Sequence, residues 1–147
     1  LPPYAATGRG RALIRSLGLF SFGDLMAAQA FLEFKTRPIS TNALYRAFTR
    51  GKRVTSIKSA AYRKFIEEAG AELLAQRPGH VPGAYGVKII LISGWRGDVD
   101  NAAKAFLDLL AAHGVTDNDR NCMDLHVKRG KHDVTQIWVI STKDLEP

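Results

Sequence analysis

Along residues 29–36 the order Gln-Ala-Phe-Leu-Glu-Phe-Lys-Thr sets Phe31, Glu33 and Lys35 against Leu32 and Phe34, a period of two that predicts a strand. Arg37-Pro38 ends it, because proline has no amide to give a sheet ladder. Residues 38–53 read as a loop or irregular hairpin, with Arg50-Gly51-Lys52-Arg53 as a basic tip in solvent. Ser56 is the expected cap of a helix from Ile57 toward Gln76, whose apolar stripe is Ala61, Phe65, Ala69 and Leu73. Arg77-Pro78-Gly79 and Pro82-Gly83 mark a loop. The run Gly-Val-Lys-Ile-Ile-Leu-Ile-Ser at 86–93 is rich in β-branched residues, as a buried central strand would be. A second helix, capped by Asp100 or Asn101, continues through Lys104, Phe106 and Leu110 to a stop at Gly114. Residues 121–142 read as a closing hairpin with its tip at Lys128-Arg129-Gly130-Lys131-His132.

These elements predict an α/β (α+β) domain, a small mixed sheet packed by two main helices in the order β-α-β-α-β-β. A chain of 147 residues supports one core of this kind and is short for two. The domain is expected over residues 28–147, after an N-terminal accessory segment, 1–27. That segment holds Arg9, Arg11 and Arg15 and no acid before Asp24. It suits an accessory helix around Gly10 to Gly18 or a DNA- or partner-binding arm.

Charge narrows the picture. The net charge is +7, which favours a polyanionic partner. The excess is concentrated: Lys35, Arg37, Arg46, Arg50, Lys52, Arg53, Lys58, Arg63 and Lys64 follow one another between Glu33 and Glu67 with no acid among them. The lone Cys122 excludes an intramolecular disulfide and a cysteine-based zinc site, and suits a reducing, cytoplasmic or nucleoid-associated setting. No apolar run reaches the length of a membrane span.

Against this basic background, the acids of Gly97-Asp98-Val99-Asp100-Asn101-Ala102-Ala103-Lys104 stand out. Asp98 and Asp100 are two apart, so in an extended segment they point to one side. Two such carboxylates repel unless a cation or a shared proton intervenes. Mg²⁺ suits so sparse a set, since it keeps several waters and takes one or two protein carboxylates with substrate phosphate oxygens. Lys104, one helical turn after Asp100, could meet a phosphate as a point charge. The competing reading makes Asp100 a helix cap and Lys104 its surface partner. Asp117 and Asp119 lie beyond the same helix, where a chain reversal could return a carboxylate to the strand end or simply form a turn. His80, His113, His126 and His132 lack metal-ligand spacing, and Cys122 lacks an adjacent base.

From about Ala28 to Thr142 the chain resembles the RusA-like Holliday junction endodeoxyribonucleases (crossover junction resolvases). The resemblance rests on Pro38-Ile39-Ser40-Thr41-Asn42 with Tyr45, on Asp98-x-Asp100-Asn101-x-x-Lys104, on Gly114-Val115, and on the later acid at Asp119. It implies a Mg²⁺-dependent homodimer, with Mn²⁺ able to substitute, that binds four-way DNA junctions in recombination and repair and nicks two opposed strands symmetrically. It also implies Asp98, Asp100 and Asp119 as metal carboxylates and Lys104 as the catalytic lysine. The expected DNA contacts are Asn42, Arg46, Arg50, Lys52, Arg53, Arg96, Lys128, Arg129 and Lys131. Two positions depart from the pattern: Asn118 replaces a usual acid, and Trp95-Arg96-Gly97 stands where relatives can carry an arginine run. The geometric expectation is that the three carboxylates converge on one ion and that Lys104 faces the same cleft. Two readings compete: a non-catalytic basic DNA-binding module, and an Asp-x-Asp nucleotide-sugar transferase, which the absence of a Gly-rich phosphate loop disfavours.

Overall fold

The computed structural model describes residues 28–142; the expected accessory helix near Gly10 lies outside the described residues. Within them run β1 (Ala30–Phe34), β2 (Tyr45–Arg50), β3 (Arg53–Lys58), α1 (Ala60–Gln76), β4 (Tyr85–Leu91), α2 (Ala103–Ala112), β5 (Cys122–Arg129) and β6 (Thr135–Ser141). Short 3₁₀ turns occur at Thr41–Ala43, Val99–Asn101 and Asp119–Asn121. The two helices, a four-stranded mixed sheet and a separate two-stranded ribbon make the mixed α/β domain that the sequence pattern predicts.

In the larger sheet the strand order is β1-β6-β4-β5. β6 is antiparallel to both β1 and β4, whereas β5 is parallel to β4. The closing stretch is therefore not a hairpin, because β4 lies between β5 and β6. Helix α2 carries the chain back along the sheet, so that β5 enters in the direction of β4, as crossover connections do. The connection to β6 then passes over the end of β4. Gly130 N donates to Leu91 O at 3.0 Å, and Ser93 N donates to His132 O at 2.8 Å. A Cβ on Gly130 would lie 2.5 Å from Ile90 Cγ2 and 2.6 Å from Leu91 O, so this crossing demands glycine.

All seven residues of β4 are buried, as its apolar run predicts. On one face Tyr85, Val87, Ile89 and Leu91 join Leu32, Phe34, Ile137 and Val139 and the helix residues Phe65 and Phe106 in the core. Alternation turns Lys88 and Ile90 to the other face, with Trp138 and Ile140 of β6, all of them buried.

Helix α1 begins three residues later than the sequence suggests. Ser59, not Ser56, supplies the cap, its hydroxyl accepting from Tyr62 N at 3.0 Å, while Ser56 and Ile57 belong to β3. The buried stripe is accordingly Tyr62, Phe65, Ala69, Gly70 and Leu73, and Ala61 is exposed. Near its other end Gln76 acts as an extra rung on the edge strand β1: its carbonyl accepts from Glu33 N at 2.8 Å and its amide donates to Glu33 O at 2.7 Å. Satisfying an edge in this way protects it from pairing with another chain.

Where the sequence predicts a loop or irregular hairpin over residues 38–53, a regular hairpin runs from Tyr45 to Lys58. β2 and β3 pair in continuous antiparallel register from Tyr45↔Lys58 to Arg50↔Arg53, turning at Gly51 with φ 62°. The ribbon pairs with no strand of the main sheet, and β3 is almost wholly exposed.

Candidate active site

Two neighbouring elements arrange the acids and the lysine singled out above. The first is the loop that leaves β4. Arg129 clamps it, donating through Nη1 to Trp95 O and through Nη2 to Gly97 O, both at 2.7 Å. The Trp95 indole donates to Pro38 O at 3.0 Å, and its ring lies where a Gly97 Cβ would be, 2.3 Å from the ring atoms. Trp95-Arg96-Gly97 is thus a packed unit that fixes the approach to Asp98. Arg129, expected to contact DNA, spends its two terminal nitrogens on this loop.

Asp98 and Asp100 follow, both exposed. Neither caps a helix through its side chain: Asp98 precedes the 3₁₀ turn without a cap bond, and Ala102 occupies the N-cap of α2. The cap reading of Asp100 is therefore overturned. Asn101 is not the cap either; its carbonyl accepts from Thr41 Oγ1 at 3.0 Å, tying the turn after Pro38 to the acidic loop.

The second element is the first turn of α2. Lys104 does not pair with Asp100. Its Nζ donates to Asp108 Oδ1 at 2.8 Å and to Asp119 Oδ2 at 2.7 Å. These hydrogen bonds raise the pKa of Lys104 well above the ordinary lysine range, and the same bond from Lys104 lowers that of Asp119. Lys104 is thus held as a cation at neutral pH, which suits charge stabilisation rather than a general base. Tyr62 completes the group, its hydroxyl donating to Asp108 Oδ2 at 3.3 Å. Burial, with the Asp108 charge adding, pushes the Tyr62 pKa up to about 12, so the phenol keeps its proton.

These residues line a cleft of about 370 Å³ with Tyr45, Lys58, Ile66, Leu109 and Ala112. Tyr45 meets Tyr62 edge to face, ring centres 5.8 Å apart, and Lys58 Nζ stands 5.7 Å from the Tyr62 ring centre. Asp108 and Tyr62 were missed from sequence, although Asp108 lies four residues after Lys104, on the same helix face. Tyr62 escaped because the misplaced cap shifted the stripe of α1.

Lys104 and Asp119 are therefore brought together, but the expected three-carboxylate convergence is not found. Among the described residues no three His, Cys, Asp or Glu side chains are grouped to hold one metal ion. Lys104 already engages Oδ2 of Asp119. Asp98 and Asp100, with no side-chain partner among the described residues, fit the sparser donor set of a largely hydrated Mg²⁺. Asp117 is committed elsewhere: Oδ2 accepts from Gly83 N at 3.0 Å, and Oδ1 lies 3.0 Å from His80 Nε2. Burial raises the Cys122 thiol pKa, consistent with a packing role.

Of the expected DNA contacts, Asn42, Arg46, Lys52, Arg53, Arg96, Lys128 and Lys131 are exposed. Arg50 stands opposite Arg53 next to the ribbon turn. Among the described residues no helix is long and apolar enough to cross a membrane. Compared with known proteins, the sequence matches no protein-family model and no curated protein.

Proposed function

We propose that the chain is a divalent-metal-dependent endodeoxyribonuclease that cuts branched DNA, with the four-way junction as substrate and paired symmetric nicks as the outcome. One observation carries this reading: the basic ribbon is rooted in the cleft that holds Lys104. Tyr45 and Lys58 are register partners at the base of the ribbon and both line the cleft, while Lys52 and Arg53 lie at its far end. A two-stranded ribbon is narrow enough to enter a major groove, and its cations would hold the phosphate backbone beside the cleft.

Asp98 and Asp100 would hold Mg²⁺ or Mn²⁺, which supplies charge neutralisation at the scissile phosphate and a water of lowered pKa. Arg129 and Trp95 keep that loop in place. Lys104 uses two of its three ammonium protons on Asp108 and Asp119, leaving the third for a phosphate oxygen. Held in advance, this donor has little rearrangement to undergo as charge develops. A homodimer matches the near two-fold symmetry of a junction, giving each of two equivalent strands one site. Such an enzyme would work in the cytoplasm or at the nucleoid.

The second reading, a non-catalytic DNA-binding module, draws support from the engagement of Asp119 by Lys104. A cleavage assay separates the two. Purified protein is incubated with a synthetic four-way junction and with plain duplex, with and without Mg²⁺. Metal-dependent nicking of the junction that disappears in Asp100→Asn is expected. Binding without nicking supports the module, and nicking unchanged in Asp100→Asn refutes the assigned metal role.

A further inference from the structure

The cleft itself has a composition that the chemistry of phosphate does not explain. Its four charged residues, Lys58, Lys104, Asp108 and Asp119, balance to zero, and Lys104 is held by both acids. Beyond the one Lys104 proton assigned to a scissile phosphate, so neutral a space offers a second phosphate little net attraction and two carboxylates. A neutral, flat group fits better. Tyr45 is 48% exposed at the rim and edge-on to Tyr62, while Ile66, Leu109 and Ala112 give the cleft apolar surface. Its volume lies near the lower end of ligand sites, which span roughly 300–1,000 Å³.

The polar atoms specify the ligand's edge. Both oxygens of Asp108 are engaged, one by Lys104 and the other by Tyr62. Lys104 takes Oδ2 of Asp119, and the carboxylate keeps lone pairs that can accept from a ligand. An ionised carboxylate is an acceptor only, so the matching edge must present an N–H donor. Adenine, cytosine and guanine meet it with an exocyclic amino group, whereas thymine has only its N3–H, flanked by two carbonyl oxygens that the carboxylate repels.

We infer that the cleft is a nucleobase pocket, in which an unstacked DNA base lies against Tyr45 and presents an amino-bearing edge to Asp119. This rests on the DNA-processing reading above and adds a base-sensing site to it. Tyr45 begins β2, so a strand held at the ribbon turn is about five residues, or about 17 Å, from the pocket at ~3.4 Å per strand residue. An unpaired nucleotide can span such a distance together with its neighbours, and it costs less to unstack than a paired one.

The test is direct binding of the full chain, without divalent ions, to duplexes bearing a single-nucleotide bulge. The bulge carries adenine, cytosine, guanine, thymine or no base. Amino-bearing bases should bind about tenfold more tightly than the abasic bulge, with thymine closer to the abasic value. Tyr45→Ala should abolish the preference and Tyr45→Phe should keep it; circular dichroism of each variant checks the fold. Equal affinity for all five bulges, a preference that survives Tyr45→Ala, or no DNA binding at all overturns the pocket. Junction nicking with Mg²⁺ is scored separately. A protein that discriminates bulges without nicking retains the pocket and loses the nuclease reading, and one that nicks without discrimination does the reverse.

Discussion

Replacing Lys88 with methionine should stabilise the protein. Lys88 sits in the middle of β4, fully buried, and among the described residues its ammonium has no hydrogen-bond partner. The nearest compensation is the Trp138 ring, with its centre 6.0 Å from Nζ. Burial, with repulsion from Lys128 adding, lowers the pKa from the ordinary 10.5 to about 8. Below pH 8 the folded and unfolded states both carry the charge, and the folded state bears the full cost of holding it. That cost is about 3 kcal/mol at 1.36 kcal/mol per pKa unit. As pH rises from 8 toward 10.5 the unfolded chain binds more protons than the folded one, so wild-type stability should climb through this window.

Methionine keeps most of the side-chain length and removes the charge. It forfeits the attraction to Trp138, on the order of 1 kcal/mol. The expected net gain at pH 7 is therefore about 2 kcal/mol, shrinking to near zero by pH 10. Urea unfolding followed by far-ultraviolet circular dichroism at both pH values measures it. A variant no more stable than wild type at pH 7, or a difference that is the same at both pH values, would refute the argument that the charge is buried without compensation.

Other substitutions probe the site and the fold. Lys104→Ala should lower kcat for junction cleavage by roughly 10²-fold or more while changing junction affinity little, because a donor aimed at developing charge acts mainly in the transition state; equal losses would make it a binding residue. Gly130→Ala should destabilise by about 1–3 kcal/mol through overpacking against Ile90 and Leu91 O, visible as a lowered urea midpoint, and an unchanged midpoint would mean the crossing can move. Ser59→Ala should cost about 1 kcal/mol by removing the cap of α1, whereas Ser56→Ala should cost much less; the opposite order would restore the cap to Ser56.

Local patterns were legible where they were closed within a few residues. The alternation of Leu32 and Phe34 and the unbroken run of β4 specified strands because burial on one or two faces leaves a period in the sequence. The cap of α1 was misread because Ser56 and Ser59 are both competent caps, and only the pairing of Ile57 with Arg46 across the ribbon excludes the former. The β5–β6 hairpin failed for a related reason. A basic, Gly-containing tip between two apolar strands looks the same whether the strands pair with each other or with a third. At the site, the family resemblance linked Lys104 to Asp119 across fifteen residues, and the two are in contact. The same resemblance gave no hint that this contact and Asp108 would take up the lysine, since that depends on side-chain orientation in the folded cleft.

The strand order β1-β6-β4-β5 has a further consequence, for the timing of folding. β6 emerges last among the described strands, yet it is the partner of both β1 and β4. Until it is synthesised β1 has no strand to pair with, and the nascent chain can close only the ribbon, the helices and the β4–β5 pair. The sheet thus forms late, from ends of the domain far apart in sequence, an arrangement associated with slow folding. A chain broken off before Thr135 would lose more than an edge: it would leave two hydrophobic strands exposed on the ribosome with nothing between them.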